Sequence, residues 1–339
     1  MKVLHLLASN SFSGAENVAC TIIKKLDPEY ESVYCSPIGE IKNILKAKEI
    51  GYIALNKMSY KEIKKAIKTF KPDIIHAHDY RASIYASLFS KKHTVIAHIH
   101  GNRLEMHKRN LKTFIFKILS KRFKKIIWVS ASCLDEYYYK DKVKDKSSIL
   151  YNIVDKETII NKTKEYKCKK EYDLIFLGRL IELKNPLRFI EIIKKIKNIK
   201  VAIVGDGELR QEVENKIKEY HLTKRVDIYG FVNNPYPILN NSKILVMTSD
   251  REGTPMVALE AQALSKPIVS TPIDGMKKII KKNKNGFLCK TNKEFIHCIN
   301  KLLNEDYYKE IQNKINNNFI NINNEEKYIN AIKESYKSL

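Results

Sequence analysis

The stretch Ser249-Asp-Arg-Glu-Gly-Thr-Pro-Met-Val-Ala-Leu-Glu-Ala-Gln-Ala-Leu264 holds two carboxylates, Glu252 and Glu260, the second inside a run from Met256 that is otherwise almost wholly apolar. A buried charge costs several kcal/mol unless it is paired or hydrogen-bonded, so Glu260 needs either a dedicated partner or a ligand. Thr254 followed by Pro255 has the form of an N-cap and a first helical residue, because proline fits where no amide hydrogen is needed. The expected helix therefore starts at Pro255, with the amides of Gly253, Thr254, Met256 and Val257 near an anion-attracting terminus and Gly253 giving close access to backbone. Glu260 then lies roughly 7.5 Å along the axis at about 1.5 Å per residue. Two carboxylates beside such a helix end suit a ligand with both hydroxyls and phosphates, each hydroxyl–carboxylate bond being worth about 1.5–3 kcal/mol. The plainer alternatives stay open at this point: a surface acid favoured by the helix dipole for Glu252, and a salt-bridged structural acid for Glu260.

A second chemical element is Phe176-Leu-Gly-Arg-Leu-Ile-Glu-Leu-Lys-Asn-Pro186, in which Gly178 ends a strand and Arg179 and Lys184 flank a loop before a helix. Two cations there could neutralise a leaving diphosphate without a metal. No Asp-x-Asp and no His/Asp set suited to Mg²⁺ stands out, so no metal and no other cofactor is expected. His76 and His78, and again His98 and His100, alternate at strand spacing, which points each pair to one face. A zinc pair is one reading and core histidines the favoured one, since no carboxylate or cysteine completes a tetrahedral set. His100 stands apart because its strand ends there and Gly101 follows.

These residues need elements to hold them. Short β-branched runs alternate with helical periodicity at Val3–Leu7, Ile74–Ala77, Thr94–His98, Ile126–Val129, Leu174–Leu177, Val201–Val204, Val226–Tyr229, Ile244–Met247 and Pro267–Ser270. Such alternation predicts α/β folding with parallel sheets covered on both faces, and ligands gathered beyond the carboxyl ends of the strands. The polar, strandless stretch 155–172 marks a join, giving a domain over 1–165, a second over 166–322, and a last helix over 323–339 that packs back on the first.

The 339 residues allow two cores. Six scattered cysteines without a C-x-x-C pair suggest neither disulfides nor zinc and fit a reducing cytosol. The apolar start is too short for a signal peptide, and no segment has the roughly 18 apolar residues of a spanning helix. The expected location is cytoplasmic. A net charge of +24 argues for an anionic partner, although a Lys-, Asn- and Ile-rich composition also produces solvated basic faces. The basic, amphipathic stretch 107–125, with Phe114, Phe116, Ile118 and Leu119 between cations, suits an anionic membrane surface or an ordinary covering helix with its aromatics inward. Nucleic acid is not expected, because no recognised motif accompanies the charge.

Taken in order, these motifs resemble the retaining glycosyltransferases of GT-B architecture, specifically glycosyltransferase family 4, and look most like the members that build bacterial surface polysaccharides. The likeness rests on Glu252-Gly-Thr-Pro-x4-Glu260-Ala (the E-x7-E pattern), Lys266-Pro-Ile-Val-Ser-Thr271, Gly178-Arg179-x4-Lys184-Asn, Val-Gly-Asp-Gly207, Gly230-Phe-Val, Pro72-Asp-Ile-Ile-His-Ala-His78, Tyr151-Asn152 with Asp155, Ser13-Gly-Ala-Glu16 and Asn285-Gly-Phe-Leu288. It runs from about residue 1 to 290. It implies two doubly wound Rossmann-like domains facing each other across a cleft, with a nucleotide-sugar donor, by expectation a UDP-sugar, held mainly by the second. It further implies that Glu252 binds sugar hydroxyls, Glu260 the ribose, Arg179 and Lys184 the leaving diphosphate, and the backbone from Gly253 to Val257 sugar and phosphate. Gly14 and Gly207 would lie near the phosphates, Phe231 and Val232 beside the base, and His100 would reach the donor from the first domain. The acceptor would be lipid-linked or a polysaccharide, met at the inner membrane face, with front-face attack and no protein nucleophile. Ile153, Ser265 and Lys278 depart from the family pattern. A same-fold epimerase would lack this E-x7-E context, and a non-catalytic nucleotide- or nucleic-acid-binding module would leave both carboxylates without a purpose.

Overall fold

The computed structural model describes residues 1–101 and 103–337, the side chains of residues 318 and 320 excepted. The chain divides into two compact units, Met1–Ile153 with Glu325–Leu339, and Val154–Asn324. The first unit holds seven strands, β1 (Lys2–Leu6), β2 (Glu31–Pro37), β3 (Tyr52–Leu55), β4 (Ile74–Ala77), β5 (Thr94–Ile99), β6 (Lys125–Trp128) and β7 (Ser147–Ile149). They form one sheet in the order β3-β2-β1-β4-β5-β6-β7, all pairs parallel. The second unit repeats the plan with six: β8 (Tyr172–Leu177), β9 (Val201–Val204), β10 (Val226–Gly230), β11 (Ser242–Met247), β12 (Ile268–Ser270) and β13 (Gly286–Leu288). Their order is β10-β9-β8-β11-β12-β13, again parallel throughout.

In each sheet the chain winds outward in both directions from one central pair, β1/β4 in the first and β8/β11 in the second. Loops leaving such a pair diverge to opposite faces and open a crevice at the strands' carboxyl ends. The residues singled out for chemistry follow β8, β9, β10 and β11 in the second unit, and β1 and β5 in the first.

Strand periodicity of two assigns the faces of the first sheet. Leu4, Leu6, Ile75, Ala77, Ala97 and Trp128 belong to one buried core, while His5, His76 and His98 are buried on the other face. The last helix, Glu325–Lys337, covers that second face: Tyr336 packs edge-on against Tyr30, and its hydroxyl lies 2.7 Å from His76 Nδ1. Ion pairs Lys25–Glu325 and Lys333–Glu29 fasten the same helix at its margin. Residues 338 and 339 of the expected 323–339 helix lie outside the described residues. Where the chain enters and leaves the second unit, the buried Asn323 side chain accepts from Val154 N at 2.7 Å and donates to Val154 O at 2.8 Å, tying the two ends of that unit together.

Four strands escaped the sequence reading. Of these, β3, β7 and β13 are three- or four-residue sheet edges with partly exposed residues, so no continuous apolar run marks them. The inner strand β2 reads Glu-Ser-Val-Tyr-Cys-Ser-Pro and is buried through small and aromatic residues. The polar stretch 155–172 also contains a helix, Lys156–Lys162, whose Asp155 cap accepts from Thr158 N at 2.9 Å.

Candidate active site

The loops after β8, β9 and β10 are knitted together by backbone: Gly178 N donates to Val204 O (3.0 Å), Leu180 N to Asp206 O (2.9 Å) and Gly205 N to Gly230 O (2.8 Å). Gly205 has φ +137°, and a Cβ there would collide with the carbonyl of Gly178, so only glycine fits. The loop after β8 is then tied across the central pair to the end of β11. Asp250 N donates to Leu183 O at 3.0 Å, and Thr248 Oγ1 donates to the carbonyls of Lys184 and Asn185 at 3.1 and 2.8 Å. Asn185, left-handed at φ +50°, caps the helix Pro186–Lys194 by accepting from Arg188 N, so the Asn-Pro start expected there is present.

These ties bring Lys184 and Glu252, 68 positions apart, into an ion pair in which Lys184 Nζ donates to Glu252 Oε1. Ser249 Oγ donates to the same oxygen at 3.0 Å. Both charged side chains are four-fifths or more covered, at 19% and 14% exposure, so this pair is far less screened than the surface ion pairs elsewhere. Arg179 is exposed in the loop after β8 next to the half-buried Gly178, and Gly207, after β9, packs so closely on that loop that a Cβ would meet the Leu180 carbonyl. Gly253, Thr254 and Pro255 are buried, while Met256 and Val257 are half-buried at the start of the next helix. That helix runs Met256–Ala263, with Pro255 rather than Thr254 as its N-cap residue, because Pro255 has the extended backbone (φ −72°, ψ 111°) of a cap. The expected helix start is thus one residue early. Gly253 and Gly275 pack so closely that a Cβ on Gly275 would meet the Gly253 carbonyl, which pins the loop ahead of the helix.

Glu260 has its partner: Tyr236 Oη donates to Glu260 Oε1 at 3.1 Å. Burial pushes the carboxyl up to about 7, opposed by the Tyr236 hydrogen bond and the Lys162 charge. Lys162 also lies over the Tyr236 ring, 5.9 Å from its centre. Neither residue was legible as a partner, since both come from other elements with no spacing relation to Glu260. Ser249 was missed as well, although its place two residues after β11 was a usable signal. Gln262, two positions on, is structural: it accepts from Asn285 Nδ2 at 2.8 Å and donates to Lys266 O at 2.9 Å. Phe231 projects into solvent and Val232 is half-buried after β10. Ser265, where the family pattern has glycine, sits at φ +58° and donates to Asn316 Oδ1 at 2.6 Å. Ile153 is buried at the end of the first unit, and Lys278 lies on the helix Asp274–Ile279.

In the first unit, Gly14 opens the helix Gly14–Leu26. Glu16 folds back to accept from Ser13 N at 2.9 Å, so Ser-Gly-Ala-Glu is a capping arrangement that fixes the helix start. The histidines are not two separate pairs: His5 joins His76, His78, His98 and His100 in one stacked cluster. Among the described residues two triads bring ring nitrogens within 4.8 Å, His5/His76/His78 and His78/His98/His100. Burial holds His5 and His100 down to about 3 and His76, His78 and His98 well below the usual value, so all five are neutral and bond to one another.

Two hollows open on the surface of the described residues. One of about 400 Å³ borders the site, touching Glu182, Asn185, Glu208 and Asp250. A larger one, about 860 Å³, opens where β1, β4, β5 and β6 begin, near Met1, Asp73, Thr94 and Lys124. It touches no candidate residue and lies at strand amino ends, where such sheets do not gather ligands.

Two parallel α/β units with this connectivity define the GT-B glycosyltransferase class. The solved structure of Anabaena HepE in complex with UDP-glucose superposes with a TM-score of 0.87 at 19% identity, covering 100% of both chains. The description Glycosyltransferase Family 4 matches residues 14–158 and Glycosyl transferases group 1 matches residues 155–321. The chain belongs to glycosyltransferase family 4. It is 27% identical to an Escherichia coli UDP-Gal:alpha-D-GlcNAc-diphosphoundecaprenol alpha-1,3-galactosyltransferase, over 99% of this chain and 96% of the other. It is 28% identical to a Campylobacter jejuni N-acetylgalactosaminyltransferase named for a diphospho-undecaprenol-linked acceptor, over 92% of each.

Proposed function

We propose that this glycosyltransferase moves a sugar from a UDP-sugar to a lipid-linked or polysaccharide acceptor in bacterial surface glycan synthesis, with retention of configuration and without a metal. The observation that carries the reading is the Lys184–Glu252 pair: a cation and a carboxylate from two strand ends, shielded and tied by Ser249, beside a helix terminus. In the reading, Glu252 takes donor-sugar hydroxyls, while Lys184 and Arg179 hold the diphosphate as charge develops on its leaving oxygen. Amides between Gly253 and Val257 meet sugar and phosphate, with Gly14, Gly178 and Gly207 as close-approach points. Glu260 accepts from the ribose, and Phe231 and Val232 flank the base. His100 contributes a ring nitrogen to the donor. The names of the undecaprenol-linked relatives support the acceptor class.

Peripheral attachment to an anionic membrane from the cytoplasmic side belongs to the same proposal. In the helix Leu111–Leu119, Phe116 is buried while Leu111, Phe114 and Ile118 are exposed between lysines, an outward apolar stripe with a basic border. Among the described residues no helix is long and apolar enough to cross a membrane.

The test is UDP release from a panel of UDP- and GDP-sugars with an extracted lipid-linked acceptor pool, followed by mass spectrometry of the product. A glycosylated lipid from one UDP-sugar supports the reading. No turnover with any donor by the wild type sinks it. For the membrane element, vesicles with anionic lipid are expected to retain the protein and to lose it on Phe114→Glu. Equal retention of both proteins would refute the stripe.

A further inference from the structure

The histidines form two hydrogen-bonded files rather than an undirected cluster. One file is His5–His78–His100: His5 Nδ1 lies 2.9 Å from His78 Nε2, and His78 Nδ1 lies 3.1 Å from His100 Nε2. The other is Tyr336–His76–His98, with His76 Nε2 3.2 Å from His98 Nδ1. At the ends of the first file, His5 Nε2 and His100 Nδ1 are buried and have no hydrogen-bond partner among the described residues.

A neutral imidazole carries one N–H and one lone pair, and the bond at one nitrogen fixes what the other carries. The file therefore has two arrangements. In one, His5 donates to His78, His78 donates to His100, and the spare N–H appears at His100 Nδ1. In the other, every proton is reversed and the spare N–H is at His5 Nε2. An orphaned buried N–H is rarer and costlier than an unused lone pair. His5 is fully buried in the sheet, whereas His100 is half-buried at a strand end beside Gly101, where a Cβ would meet nothing within 4 Å. The N–H belongs at His100, the end of the file that stands at the strand's carboxyl end rather than inside the sheet, although its Nδ1 is covered in the ligand-free protein.

We infer that His78, oriented by His5, is a positioning residue that locks His100 in its Nδ1–H tautomer, so that His100 offers a hydrogen-bond donor to the oxygens of the sugar-nucleotide. This rests on the proposed role of His100 in donor binding. The tautomer itself does not, and it can be read without any activity.

The experiment is ¹⁵N ring-shift NMR of protein labelled on histidine, with His100 assigned by His100→Gln. The wild type is expected to show His100 protonated at Nδ1. In His78→Leu the Nε2–H form is expected to appear, with kcat/KM for the donor down about tenfold, the worth of one hydrogen bond in the transition state. His78→Asn, whose amide can donate from the Nδ1 position, is expected to restore both. Wild-type His100 protonated at Nε2 overturns the inference without any variant, as does an unchanged tautomer in a folded His78→Leu. Tetrahedral cobalt(II) bands on titration would overturn it too, by making His100 a metal ligand. A wild type that releases no UDP defeats the functional reading, and the NMR result then still decides the file. Unchanged turnover in His100→Gln overturns the use of the file in donor binding alone.

Discussion

The two sheets share one topology and differ in what they hold beside the central strands. In the first, the polar groups are neutral imidazoles on the sheet face itself, bonded to one another and to Tyr336 except at the file ends. In the second, they are charges on loops beyond the strands, with Glu260 as the buried exception. Burial on a sheet face forbids charge, because desolvation disfavours the ionised form, while loops at a half-open rim can keep a cation and a carboxylate face to face. The same physics gives the two units opposite responses to pH.

The largest expected effect sits in the first unit. Its histidines have folded-state pKa values below the unfolded value of about 6.5, so unfolding takes up protons and stability is lost as pH falls through 6.5. Each contributes on the order of 1 kcal/mol between pH 7.5 and 5.5, because only the unfolded imidazole takes up its proton there, and the four that are fully buried act in the same direction. Hydrogen exchange should show β4 and β5 amides losing protection over that range while β8 and β11 amides keep theirs. Parallel losses in both units would break the contrast.

Glu260 runs the other way. Its folded pKa, up to about 7, lies above the unfolded value, so its contribution is present at low pH and is lost as pH rises through 7. Ionising it costs the ligand-free protein roughly 3 kcal/mol. Glu260→Gln is therefore expected to stabilise the free protein at pH 8, by denaturant titration, with little gain at pH 5. A gain independent of pH would show that the carboxyl is not ionising there.

Slightly smaller is the loss from Glu252→Ala, which removes a charge-assisted hydroxyl contact and frees Lys184: about a hundredfold in kcat/KM by UDP release. A variant within a factor of two of wild type would take Glu252 out of the site. If the ribose requires ionised Glu260, UDP affinity should fall about tenfold from pH 8 to pH 6, measured by calorimetry, and Glu260→Gln should bind weakly at both. A wild-type affinity flat in pH would detach Glu260 from the nucleotide. Least of all, Tyr336→Phe should cost about 1–2 kcal/mol of stability by orphaning His76 Nδ1, with donor turnover unchanged. A matching loss of turnover would mean that the histidine face and the reaction are coupled through more than His100.

Much of the candidate site was legible because it is local. Glu252, Gly253 and Glu260 lie within one strand–loop–helix segment, and Gly178, Arg179 and Lys184 within another, so order and spacing expose them. The two-sheet plan was legible for the same reason, through repeated β-branched runs. The sheet edges were not, since a short half-exposed strand has no apolar run to show. Ser13-Gly-Ala-Glu16 was visible as a motif, but that Glu16 caps the helix start required geometry.

Sequence alone determined the parallel α/β class, the loops that hold the candidate residues, and the oddity of a carboxylate in an apolar helix, because each depends on neighbours along the chain. Only the tertiary structure decided who answers that carboxylate, Tyr236 from a helix 24 positions away, and that Lys184 reaches Glu252 across the central strands. It also decided that His5 and Tyr336, 331 positions apart, belong to one histidine face. Hydrogen bonds and desolvation act through space over a few ångströms, and which groups come that close is set by sheet order and helix docking rather than by spacing in the chain.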